Sequence, residues 1–379
     1  MRIAFLCKRR YMGKDVILDR YARLYEIPHQ LARLGHEVCG FCLSYQGHEE
    51  GQWRHEIAGS GSLEWCSRTL GRLILPGLLA YPAHILRRVG QFRPDVLVGA
   101  SDIPHVALAQ WLSTRLNVPY AVDLYDNFEG FGQARIPGLV KVLRRATRHA
   151  ALVTTTSDLL KELVETGYRA RGTVISMPST IDKAVFFPRE KAACRRALGL
   201  PENAILVGTA GGLLANRGID VLYEAWPGIA AEYPDARLVL AGPADRSHPP
   251  PNRKDVIYLG CLLHAKTAEL FNALDLGIIY LKDTLFGRYC FPQKAYEMMA
   301  CRLPIVAANV GAMPAMLENA GSLYQAESSA SLAQAIRANI ETPSISRNKI
   351  RDWQEIIAQM EHSLREIQRV HPNMDNVAC

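Results

Sequence analysis

The chain has 379 residues, 49% hydrophobic and 21% charged, which is a soluble globular composition and length enough for two domains that each bury a core. Its net charge of +7 favours anionic ligands or a membrane surface without choosing between them, and no zinc-finger or aromatic-basic pattern supports nucleic-acid binding. Nine cysteines without regular spacing fit reduced cytosolic thiols rather than a disulfide framework.

Residues 2–7 read as a first strand, and basic residues follow its apolar run rather than precede it, the reverse of a secretory signal. The expected location is therefore cytoplasmic. A loop over 8–14, a helix over 19–34 closed by Gly35, and a strand over 38–43 give a βαβ opening. It lacks the G-x-G-x-x-G pattern of dinucleotide folds. Cys39 and Cys42 lie in the strand-like run 37–45, either packed in the core or chemically active, with no second pair to complete a zinc site. Residues 46–62 read as a loop. Residues 63–89 read as a pair of helices broken at Pro76 and Pro82, carrying Arg68, Arg72, Arg87 and Arg88 among Trp65, Tyr81 and aliphatic residues. That pair either covers a sheet or forms an interfacial surface in peripheral contact with a membrane. Its apolar stretch is too short and too broken to span a bilayer.

A strand over 95–100, a helix over 104–116 and a strand over 120–124 follow, and Asp123, Tyr125, Asp126 and Glu129 cluster at the end of the last. Doubly wound sheets place their sites at such carboxyl ends. His105, at a helix start, either contacts ligand or caps the helix. A strand over 150–154, a helix from Ser157 to Glu165 and a strand over 173–177 complete the first half, so the first domain is expected over 1–182. The second, over 183–345, restarts with the apolar run 204–207. Gly211 and Gly212 come next, then Asn216, Arg217 and Gly218 ahead of a helix reaching Ala231. Glycine lets backbone approach a ligand closely, and Arg217 precedes a helix N-terminus, where phosphate is favoured. Strands over 237–241, 256–259, 275–280 and 322–324 and helices over 264–274 and 328–340 complete this half. A long helix begins near Ser346.

The stretch 286–317 holds a loop, a helix over 293–300 with Pro292 in front of it, and a buried-type strand over 305–308. Lys294 and Glu297 share one helix face, one turn apart. They are either a cation for phosphate and a carboxylate for sugar hydroxyls, or a surface ion pair. Pro292, Lys294, Glu297, Met299-Ala300 and Pro304-Ile305-Val306-Ala307 resemble the donor motif of retaining family 4 glycosyltransferases. The first Glu of that family's Glu-x7-Glu motif falls on Tyr289, and the second on Glu297. The Pro-x-Lys-x-x-Glu spelling is similar to a variant in exopolysaccharide and lipopolysaccharide transferases. Residues 177–182 with Phe186-Phe187-Pro188 resemble the family's interdomain crossing. Arg217 stands where the family usually has Lys, and Tyr125 where it often has His.

The resemblance implies an α/β chain of GT-B fold, two Rossmann-like doubly wound domains facing a central cleft, with the terminal helix (346–379) returning to the first. It implies a nucleoside diphosphate sugar as donor substrate, no separate cofactor, and a saccharide or lipid-linked saccharide acceptor held by the first ninety residues, in bacterial-type surface glycan synthesis. Gly211, Gly212 and Arg217 would cradle the diphosphate, Lys294 would add charge, and Glu297 would bind ribose. Tyr289, Cys290 and Phe291 would line the sugar pocket, with Asp126 and Tyr125 facing it. Asp126, Tyr125, Arg217 and Lys294 form the expected catalytic set. No Asp-x-Asp pair occurs in the chain, so no metal is expected. Two other readings stay open: a GT-B sugar-nucleotide epimerase, and a nucleotide-sugar-binding subunit of a transferase complex.

Overall fold

The computed structural model describes residues 1–71 and 74–370. Its contacts divide the chain into two units, Met1–Ser179 with Trp353–Cys379, and Thr180–Asp352.

The first unit is built on an eight-stranded sheet. Its order is Thr173–Ser176, Leu152–Thr155, Tyr120–Leu124, Val96–Ala100, Arg2–Lys8, Glu37–Ser44, Ser62–Thr69, Gly51–His55. Every pairing is parallel except the last. Parallel strands are covered on both faces, so the central ones are apolar throughout rather than alternating; Ile3, Ala4, Phe5, Leu6 and Cys7 are all fully buried. Helix Ala22–Arg33 sets Leu24, Ile27 and Leu31 into this core. Helix Trp353–Val370 adds Ile356, Ile357, Met360 and Leu364 to it.

The second unit carries six strands, all parallel, in the order Val256–Tyr258, Ala236–Ala241, Ile205–Ala210, Leu276–Ile279, Ile305–Ala308, Leu323–Tyr324. The chain winds outward from Ile205–Ala210 in one direction and then the other. The carboxyl end of that strand is thus the point where winding reverses, and crevices for ligands open there. Arg2–Lys8 holds the same place in the first unit.

Several expectations need correction. Ser62–Thr69 is a strand and pairs antiparallel with Gly51–His55, within what reads as loop and helix. Its signal is a period of two, with Leu63, Trp65 and Ser67 buried and Glu64 and Arg68 exposed. The presumed helix pair is one helix, Ile74–Phe92, which runs through Pro82; Arg72 lies outside the described residues. Trp65 and Tyr81 are buried while Leu78 and Leu79 face solvent, so the aromatic side chains serve the interior. Among the described residues no helix is long and apolar enough to cross a membrane. Helices Leu139–His149 and Lys191–Ala197 were not anticipated. The terminal helix starts at Trp353, not near Ser346, because Ser346 and Asn348 hydrogen-bond the Met316 carbonyl and hold that backbone out of helical form. Cys39 and Cys42 do not pair with each other: Cys39 Sγ lies 3.9 Å from Cys66 Sγ, and Cys42 Sγ 3.5 Å from Cys7 Sγ. All the described cysteines are free thiols.

Candidate functional site

In the second unit, strand Ile205–Ala210 ends at Gly211, whose φ of +116° is a conformation that L side chains rarely adopt. A Cβ at Gly211 would sit 3.4 Å from Lys294 Nζ. Gly242, at φ +123° after the neighbouring strand, lies still closer to its surroundings: a Cβ there would be 2.0 Å from the Gly211 carbonyl oxygen. Two glycine turns therefore press together at the carboxyl edge, and both need the missing side chain. The chain continues through a 3₁₀ turn, Ala215–Arg217, and Gly218 into helix Ile219–Glu232.

Lys294 and Glu297 stand on helix Gln293–Ala300, as the spacing predicts, and among the described residues they do not close an ion pair with each other. Lys294 Nζ instead lies over the Tyr280 ring, 4.9 Å from its centroid. The Tyr280 hydroxyl donates to the Gly212 carbonyl at 2.8 Å. Tyr280 thus supports the glycine turn and the ammonium together. Sequence reasoning missed that role, since Tyr280 merely ends an apolar run. Arg217 is exposed, and its guanidinium lies 4.7 Å over the Phe286 ring. Lys282 Nζ pairs with Asp220 Oδ2 at 3.3 Å in the first turn of the helix.

The stretch before the motif helix is not irregular throughout. Helix Leu285–Tyr289 forms there, with Thr284 Oγ1 accepting from the Gly287 N–H. Gly287 fits because a Cβ would meet the Lys282 carbonyl oxygen at 2.0 Å. Cys290 is buried, with its thiol toward the Gly287 carbonyl, and Phe291 packs edge-on against Tyr296. Tyr289 is partly exposed. Burial lowers the Lys294 pKa to about 8, helped by the Arg217 charge and opposed by Glu297. Burial raises Glu297 to about 7 against the pull of Lys294. Both groups thus change charge near neutrality, as groups at functional sites often do.

The acidic cluster of the first unit is split by the fold. Asp123 is fully buried and bonded to Arg23 of helix Ala22–Arg33 at 2.6 Å, so it is an internal strut and not a ligand contact. Glu129 is taken by Arg144 of helix Leu139–His149 at 2.7 Å. Asp126 is buried and accepts from the Asn127 N–H. Tyr125 packs edge-on against Tyr11 and Phe128, and its hydroxyl meets Lys8 Nζ at 3.1 Å. Lys8 closes the first strand and borders a cavity of about 380 Å³ with Arg10, Tyr45, Asp102 and Phe131. His105 neither caps nor reaches out. Asp102 caps the helix by accepting from the His105 N–H and also holds the imidazole at 2.5 Å, with the Tyr45 hydroxyl on its other oxygen. Burial lowers the Lys8 pKa. Among the described residues Lys8 and Arg10 form no ion pair, although the Asp102 carboxylate on the same wall acts on the Lys8 charge from a distance.

Both halves match known domain models. Residues 22–177 match a glycosyl transferase 4-like domain, and residues 204–342 match glycosyl transferases group 1. The chain belongs to these glycosyltransferases. A D-inositol 3-phosphate glycosyltransferase of Stackebrandtia nassauensis is 30% identical over 228 residues, 56% of this chain and 48% of that relative. The chain spans about half the length of that relative (48%). Sucrose-phosphate synthase from Thermosynechococcus elongatus superposes with a TM-score of 0.69 at 17% identity, covering 100% of both chains. Anabaena HepE in complex with UDP-glucose gives 0.65 at 18% identity, over 98% of this chain and 99% of the other. At such identities the likeness establishes the fold, which is GT-B. Gly211 and the helix bearing Lys294 and Glu297 lie in the part matched by the group 1 model, Tyr125 and Asp126 in the part matched by the 4-like model, and Lys8 before it.

Proposed function

We propose that the protein transfers a hexose-type sugar, with retention, from a nucleoside diphosphate donor to a hydroxyl of a saccharide or lipid-linked saccharide acceptor. The observation that carries this reading is the partly buried ammonium of Lys294, set at the Gly211 turn over Tyr280, with no carboxylate among the described residues bonded to it. A cation held in that way is completed by an anion. The glycine turns let a diphosphate approach the backbone closely, Arg217 offers a second cation, and Glu297 an acceptor for ribose hydroxyls. Tyr289, Cys290 and Phe291 would line the sugar, Cys290 and Phe291 through backbone groups because their side chains serve the interior. The fixed cations stabilise charge growing on the leaving diphosphate, and the lack of an Asp-x-Asp pair fits a transfer that needs no metal. Tyr125 and Asp126 serve the acceptor side, where Lys8 and Arg10 suit an acceptor bearing an anionic group. The relative's acceptor, as named, is an inositol phosphate.

The test is release of nucleoside diphosphate from a panel of nucleotide sugars, with and without phosphorylated polyols and lipid-linked saccharides as acceptors. Acceptor-dependent release that survives a strong chelator is the expected result. Donor binding without any release would place the chain among binding subunits, and release restored only by Mg²⁺ or Mn²⁺ would remove the metal-independent mechanism.

Donor affinity should peak between the two titrations. Ribose binding needs Glu297 ionised, so below about 7 the donor must displace a proton and affinity falls by up to about tenfold per pH unit. Diphosphate binding needs Lys294 charged, so above about 8 the complex must take up a proton and affinity falls again. Calorimetric titration against pH should give this bell, and Glu297→Gln should flatten its acid limb. An acid limb that persists in the folded variant would remove Glu297 from the ribose.

A further inference from the structure

A second cavity, of about 350 Å³, opens in the first unit between strand Ser62–Thr69 and helix Ile74–Phe92. Its wall includes Glu50, Cys66, Arg68, Tyr81, His84 and Arg88. Arg88 donates to Cys66 Sγ at 3.5 Å. Among the described residues neither Arg68 nor Arg88 forms an ion pair: Glu50, bonded to Thr69, acts on Arg68 only from a distance, and Arg88 faces the Cys66 sulfur. The Tyr81 side chain is 7% exposed and its hydroxyl is buried without a hydrogen-bond partner, a cost the fold sustains unless something in the cavity meets it. None of these residues belongs to the site described above.

Cys66 is also set apart from the other thiols. Cys39 Sγ, 3.9 Å away on the neighbouring strand, shares its proton. That contact and Arg88 lower the Cys66 pKa to about 6, opposed by burial and by Glu64 on its own strand, while Cys39 is pushed up. A thiolate beside a guanidinium at a cavity wall is the reactive form of cysteine. An internal bond to Cys39 does not fit: Cys39 pairs with Glu64 and Cys66 with Phe41, two residues out of register. A disulfide between them would need the strands to shift.

The geometry assigns this cavity as a thiol-exchange site, in which Cys66 forms a mixed disulfide with an acidic low-molecular-weight disulfide held by Arg68 and Arg88. The Cys66 thiolate attacks one sulfur of R–S–S–R. The Cys66–S–S–R bond forms, the S–S bond of the reagent breaks, and R–S⁻ leaves with the electron pair, so no further oxidant is required. The carboxylates of R face the guanidinium groups, and the Tyr81 hydroxyl supplies a donor.

The experiment treats the full chain with the dianionic disulfide dithiobis-nitrobenzoate and, in parallel, with neutral dithiodipyridine, and maps the modified peptides by mass spectrometry over time. Cys66 should be modified first by the dianionic reagent, about tenfold faster than exposed Cys261. Cys66→Ser should remove that fast phase. Arg68→Gln, an exposed position not bonded to Cys66, should slow the dianionic reagent several-fold and leave the neutral one unchanged. First modification at Cys261 overturns the assignment, as does an Arg68→Gln chain that reacts with both reagents as the parent does or slows equally with both.

Discussion

Replacing Lys294 with methionine is expected to lower turnover by about 10²–10³, the cost of removing one preorganised charge from a transferring group. The effect should appear mainly in kcat, because the leaving diphosphate gains its negative charge on the way to the transition state. Stability should move little or rise. Burial draws the Lys294 pKa down to about 8 against the opposing pull of Glu297, and its ammonium lies over the face of Tyr280 without closing an ion pair among the described residues. A methionine of similar length fills the same space without that cost, so the melting temperature should hold while the rate collapses, the pattern of a residue kept for activity. Steady-state kinetics beside a thermal melt reads both quantities. A normal rate would remove Lys294 from the chemistry. A loss of rate with an equal loss of melting temperature would make it a packing residue.

Asp123→Asn should cost the first unit about 3–5 kcal/mol, the usual consequence of leaving one charge of a buried pair unpaired. Arg23 and Asp123 are both fully enclosed, 2.6 Å apart. Thr154 Oγ1 donates to the same carboxylate at 2.5 Å, and Arg23 Nη1 donates to the Met177 carbonyl at 2.6 Å. One ion pair therefore ties helix Ala22–Arg33 to strands Tyr120–Leu124 and Leu152–Thr155 and to the segment leaving Thr173–Ser176. Denaturant unfolding should show the loss. The double replacement Arg23→Met with Asp123→Leu should recover much of it, because apolar groups carry no unmet charge. A single variant as stable as the parent would mean that water or another cation reaches Asp123.

The sequence by itself determined the parallel α/β architecture and the helix that carries Lys294 and Glu297. Strands Tyr120–Leu124 and Ile305–Ala308 and helix Gln293–Ala300 stand where their patterns put them. The cause is local: a strand covered on both faces must be apolar along its whole length, and Pro292 suits a helix start. Lys294 and Glu297 were legible for the same reason, as positions three apart share a face whatever the rest of the chain does. The half-exposed strand Ser62–Thr69 was not, because its alternation lies among arginines and aliphatic residues that a helix could also carry. Tertiary structure alone decided which partners the charged groups take. Asp123 and Asp126 have similar neighbours in the sequence, but only a residue a hundred positions away, Arg23, makes the first an internal strut. Likewise Tyr280 and Gly242 acquire their roles from strands that become neighbours only when the sheet order places them beside Ile205–Ala210. Burial and ion pairing depend on distances through space, and those are fixed by how the sheets wind rather than by spacing along the chain.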